Sequence, residues 1–183
     1  MKNLSLFRQL SFVFWIFLAL GVGPASADVN EAFLQSVIDG DLKEVESFLE
    51  LGADIETRTK KGSTALIVAA AQRHTSLLNF LLKRGAKVNA RNRYDDTALL
   101  LCATVDDIRC MELLIARGSD VNAKNMLGWS PLSRAVRYGH LQAIRFLIKQ
   151  GAKVDIRLND GATPLIIASV EQHSGAVHLL LQS

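Results

Sequence analysis

Four residues able to bind metal or move protons, His74, Asp107, His140 and His173, each stand 33 residues after the last. Imidazole and carboxylate are common ligands of zinc and other divalent ions, so a regular file of them raises the idea of a metal ladder. Cys102 and Cys110 lie within the same stretch and are the two cysteines of the chain. Thiols act as nucleophiles, as metal ligands or, in an oxidising compartment, as a disulfide. Which of these chemistries is open depends on the elements that carry the residues and on the distance between those elements.

The 33-residue interval runs through the whole chain. Gly52, Gly85, Gly118 and Gly151 keep it, and so do Thr64, Thr97, Ser130 and Thr163. Leu66, Leu99, Leu132 and Leu165 follow in step, with small residues at Ala69, Cys102, Ala135 and Ala168. A Thr or Ser in that place caps a helix by accepting a bond from an otherwise unpaired backbone N–H. Pro131 and Pro164 come next, where a helix needs no donor. A second helix then reads apolar at i, i+3 and i+4: Leu78, Leu81, Leu82; Met111, Leu114, Ile115; Ile144, Leu147, Ile148; Val177, Leu180, Leu181. The glycine after it supplies a left-handed C-terminal residue. Residues 30–57 form an atypical first unit, with Phe33, Val45, Phe48 and Leu49 in core positions and no capping threonine.

The stretches TALIVAA (64–70), TALLLCA (97–103), SPLSRAV (130–136) and TPLIIAS (163–169) resemble the Thr-Pro-Leu-His-x-Ala signature of the ankyrin repeat family. They depart from it at the histidine, which is replaced by Ile67, Leu100, Ser133 and Ile166. The resemblance covers residues 28–183 and implies an all-α solenoid of about five 33-residue turn-helix-turn-helix repeats. Their approximate bounds are 28–58, 59–91, 92–124, 125–157 and 158–183, the first and last acting as caps.

Neighbouring units in a stack lie about 10 Å apart, too far for ligands that must sit about 2 Å from one ion. The histidines therefore read as residues that begin each second helix, and His178 as structural too. Cys102 falls in the small core column of a first helix and Cys110 in an apolar column of the second. Both are expected as buried small hydrophobes, with an intrarepeat disulfide between antiparallel helices as the alternative. No histidine is placed to activate a thiol, and no phosphate loop, nucleophile elbow or metal-spaced cluster occurs in the sequence. The expectation is a protein that is not an enzyme, with no cofactor and no metal.

Residues 1–27 read as a signal peptide. Lys2 and Arg8 give a basic start, the apolar run Leu10 to Leu20 is too short for an ordinary membrane-spanning helix, and Ala25-Ser26-Ala27 fits cleavage before Asp28. Removing Lys2 and Arg8 from 21 basic residues leaves 19 against 18 acidic ones, so the net charge falls from +3 to +1. That balance argues against nucleic acid as a partner. Residues 28–56 hold nine acids and one base, whereas 57–183 hold eighteen bases and nine acids. An exported monomer is expected, in a bacterial periplasm or secreted, without stable membrane insertion.

The resemblance places partner contacts on the hairpin tips and on the inner, first-helix surface. A basic column, Arg58, Arg91, Lys124 and Arg157, crosses the tips at the same interval, joined by Lys60, Lys61, Arg93 and Arg137. The apolar group Tyr94, Met126, Leu127, Trp129 and Tyr138 is the stronger signal, because Trp, Tyr and Arg dominate interface hot spots and Met adapts to partners. Packing of Trp129 and Leu127 between hairpins is its rival account. The partner surface expected in repeats two to four is thus Arg91, Arg93, Tyr94, Lys124, Met126, Leu127, Trp129, Arg137 and Tyr138. It suits a protein partner with an acidic rim and an apolar pocket. An inhibitor, immunity-type or protective partner of a periplasmic enzyme, or a secreted factor acting on a host protein, would use the same surface.

Overall fold

The computed structural model describes residues 26–183, with side chains from Val29 onward. Helices α1 (Ser26–Asp39) and α2 (Leu42–Glu50) form the first unit. The following units are α3 (Ala65–Ala71) with α4 (Thr75–Lys83), α5 (Ala98–Thr104) with α6 (Ile108–Ile115), α7 (Pro131–Arg137) with α8 (Leu141–Lys149), and α9 (Pro164–Val170) with α10 (Ser174–Leu181). The expected all-α solenoid of five units is observed. Extended pairing among the described residues is limited to one isolated bridge, Arg58 with Thr64. The signal-peptide segment, residues 1–27, lies outside the described residues except for Ser26 and Ala27, which open α1. No helix among the described residues is long and apolar enough to cross a membrane.

First helices of consecutive units pack side by side, and each second helix packs on its own first helix. The residues between first helices are Ile67, Leu100 and Ser133, all fully buried, where the family signature has histidine. Ser133 is tolerated there because its hydroxyl and that of Ser130 bond reciprocally around the start of α7, leaving no orphaned donor. Phe33, Leu78, Leu81, Met111, Leu114, Ile144 and Leu147 fill the space between helix layers. Leu181, expected in the core, is exposed instead, as is Ile166. Ser133, the counterpart of Ile166 one unit earlier, is fully buried where α7 and α9 pack together.

The capping column holds in three of its four places. Thr97, Ser130 and Thr163 accept bonds from the backbone N–H of Leu100, Ser133 and Ile166. Thr64 corrects the expectation: it makes no capping bond, and its buried hydroxyl has no hydrogen-bond partner. In the first unit Asp41 caps α2 through the N–H groups of Lys43 and Glu44. The Glu44 carboxyl is raised above its ordinary value by burial first, then by the charges of Asp41 and Asp39.

The cysteines also depart from the leading expectation. Cys102 and Cys110 are joined in a disulfide, with Cα atoms 5.9 Å apart, and both are buried. Cys102 lies in α5 and Cys110 in the first turn of α6, so the turn between the antiparallel helices brings them within bonding reach. Alkylation in denaturant without reductant should leave the intact mass unchanged, and alkylation in denaturant after reduction should label both thiols. Adducts before reduction would contradict the pairing. Loss of the Thr97 cap in Thr97→Val should cost about 1 kcal/mol. Thr64→Val should stay within about 0.5 kcal/mol or stabilise, because it removes an unsatisfied hydroxyl. Urea unfolding midpoints of the two variants compare them directly.

Candidate interaction surface

The hairpin that opens each unit is built by its own side chains. In the fourth unit Asn125 Oδ1 accepts from the N–H of Leu127 and of Trp129, both at 3.0 Å, and the N–H of Gly128 closes onto the Asn125 carbonyl at 2.9 Å. Gly128 sits at φ +84°, and a side chain there would meet the Asn159 nitrogen and the Leu158 Cα at 2.8 Å. Neither its conformation nor its close approach to the next hairpin admits another residue. Asn92 does the same work one unit earlier, accepting from the N–H of Tyr94 and Asp96.

Backbone bonds tie the tips into a row: Arg93 N–H to the Lys61 carbonyl, Met126 to Tyr94, and Asn159 to Leu127. Three large side chains stand out from this row, with Tyr94 54%, Met126 60% and Leu127 63% exposed. Tyr138, at the end of α7, is 48% exposed with its ring stacked on His140. These four expected residues lie open to solvent, and the hairpin bonds involve only their backbone. Arg93 is exposed too, and its guanidinium makes no hydrogen bond among the described residues.

Trp129 does not join them. It is 9% exposed and packs in the core cluster. The guanidinium carbons of Arg134 and Arg137 lie over its ring at 5.0 and 5.5 Å from the centroid. The expectation of a solvent-facing tryptophan is therefore corrected. One turn of α7 separates the two arginines and aims both back at the hairpin base, where they cover the indole.

The basic column belongs to the stack. Arg58 donates to the Arg91 carbonyl at 2.7 Å, Arg91 to the Lys124 carbonyl at 2.7 Å, and Lys124 to the Arg157 carbonyl at 2.6 Å. Arg91 and Lys124, expected at a partner surface, thus bind the hairpin of the following unit. The histidines behave likewise. His74, His140 and His173 bring Nε2 within 3.0–3.1 Å of the carbonyls of Ile38, Thr104 and Arg137 in the unit before. Asp107 caps α6 at the N–H of Cys110 and accepts a bond from the Thr75 hydroxyl. Each residue of the supposed metal ladder holds two units together.

Two features escaped sequence reasoning. Arg134 went unnoticed, although Val68, Leu101 and Ile167 fill its column in other units. A cavity of about 340 Å³ lies between α1, which contributes Leu34 and Ile38, and the hairpin of Arg58, Thr59 and Lys60. Its walls come from two different units, so no local pattern announces it.

A family model of ankyrin repeats in three copies matches residues 33–125 and 99–183. A search among curated proteins found no match.

The ladder predicts a separation of roles between two neighbouring arginines. Arg91→Ala should lower stability by about 1 kcal/mol through loss of its carbonyl bonds. Arg93→Ala should leave stability within about 0.5 kcal/mol. Thermal and urea unfolding of both variants would measure the difference, and equal effects would refute the ladder as a stabilising element.

Proposed function

Because the chain belongs to the ankyrin repeat family, whose repeats generally mediate protein–protein interaction, we propose that it is a non-catalytic binding module acting outside the cytoplasm. The observation that carries this reading is the exposed apolar row of Tyr94, Met126 and Leu127, flanked by Arg93. Lys60, Lys61, Asn159 and Asp160 occupy the Arg93, Tyr94, Met126 and Leu127 columns in adjacent units, so hairpin folding does not require large apolar groups there. Solvated apolar area of this kind is stabilised when a partner covers it. Tyr138 and Arg137 extend the surface onto the first helix of the fourth unit. Trp129, Arg91 and Lys124 support that surface from beneath or beside it.

Export is supported by the basic start, the short apolar run and the Ala25-Ser26-Ala27 triplet. The paired cysteines suit an oxidising compartment such as a periplasm. The proposed partner is a protein with an acidic rim around an apolar pocket, such as an enzyme that the module inhibits or protects.

Crosslinking in the native compartment, with wild type and a Tyr94→Ala, Leu127→Asp double variant, tests the surface. The folded variant should recover the wild-type partner at least about tenfold less well; undiminished recovery would exclude these tips. N-terminal sequencing of the exported protein should begin at Asp28, and a retained segment 1–27 would overturn the export reading.

A further inference from the structure

We propose that Arg134 and Arg137, held over Trp129, form a clamp for a carboxylate side chain in an acidic segment of the protein partner. The inference rests on the binding-module reading and adds the chemistry of one contact. Three departures from the repeat pattern converge in this one place. The Trp129 column holds Ser63, Asp96 and Ala162 elsewhere, the Arg134 column Val68, Leu101 and Ile167, and the Arg137 column Ala71, Thr104 and Val170. A stack that folds with apolar or small residues in both arginine columns does not need two guanidiniums here.

Of the two guanidiniums, one is ion-paired among the described residues and the other is not. Arg137 pairs with Glu171 at 3.5 Å. Among the described residues Arg134 has no ion pair, and its Nε is buried without a hydrogen-bond partner. Asp96, which takes the Trp129 column one unit earlier, makes no ion pair with either arginine and accepts from Asn125 Nδ2 at 2.7 Å. With Nε buried, the two Nη groups of Arg134 are the edge left for a carboxylate in a two-bond fork. Stacking also fixes the side chain before binding, which lowers the ordering cost when the partner arrives. Glu171 then acts as an internal stand-in, partly neutralising the site until a partner carboxylate displaces or joins it.

Trp129 and Trp15 are the two tryptophans of the chain, and protein beginning at Asp28, the proposed exported form, carries Trp129 alone, so its emission reports on that residue. The probe is an acetylated, amidated hexapeptide alternating Leu and Glu, with the Leu and Gln peptide as control. The acidic peptide should give a saturable change in Trp129 emission. Arg134→Gln should weaken binding about tenfold, and Arg134→Lys should also weaken it because the fork is lost while the charge remains. Glu171→Gln should tighten binding by releasing Arg137. Far-UV circular dichroism confirms that each variant is folded. Equal titration by the Gln peptide, unchanged binding in Arg134→Gln and Glu171→Gln, or equal saturation by inorganic phosphate would each overturn the clamp. If the clamp variants recover the crosslinked partner normally while the Tyr94, Leu127 variant does not, the clamp falls and the tip surface stands. If both sets recover it normally, the binding surface itself is wrong.

Discussion

Helices of seven to nine residues do not persist alone in water, and every helix after α1 is that short. Each unit must therefore be held by its neighbours, through apolar contact and through the backbone groups that short helices and hairpins leave unpaired. Three files of side chains meet this second demand. Arg58, Arg91 and Lys124 reach the carbonyls of the next hairpin, and the histidines those of the preceding helix end. Asn89 and Asn122 each bond a carbonyl and an N–H of the following unit. The period of the sequence is the period of these bonds.

That constraint disposes of most of the residues able to do chemistry. An imidazole committed to a carbonyl at every junction is a staple, and an aspartate that caps one helix while bonding the previous unit is another. Where the histidine column is interrupted, at Asp107, the link is remade by Thr75 from the other side. Two places among the described residues combine side chains the stack does not consume with types that recognise partners: the tips around Tyr94, Met126 and Leu127, and the arginine pair over Trp129. Function in such a fold sits in the residues that the repeat leaves free.

The fold was legible because its determinants lie in fixed columns. Thr97, Ser130 and Thr163 announce helix starts through local chemistry, and the apolar spacing of α4, α6 and α8 announces their buried faces. Thr64 shows the limit of that reasoning, since the same residue type in the same column has no capping bond. Trp129 shows another. Its neighbours in the hairpin, Met126 and Leu127, are exposed, and position along the turn alone does not distinguish it from them. Trp129 packs into the core cluster, and Arg134 and Arg137, five and eight residues downstream on α7, lie over its ring. The basic column was visible, but its carbonyl partners lie 33 residues away and only the stacked structure supplies them. The disulfide needed the turn between α5 and α6, whose Asp106 adopts φ +55° to reverse the chain.

Charge separation along the stack gives the two free places a direction. Residues 28–56 carry nine acids against one base, and part of that acidity is internal: Glu46 pairs with Arg84, and Glu56 accepts from the Lys87 N–H. The remainder would repel the acidic partner proposed above from the first unit, while the bases of later units would attract it. Such fields act over roughly a Debye length and mainly raise the encounter rate. In the proposed surface, contacts desolvated at Tyr94, Met126 and Leu127 would act after encounter, on the rate of escape. A clamp built from stacked arginines links the two regimes, because it uses the same positive charge but fixes it in one orientation. In the proposed clamp the buried tryptophan would contribute to recognition by positioning the arginines that lie over it.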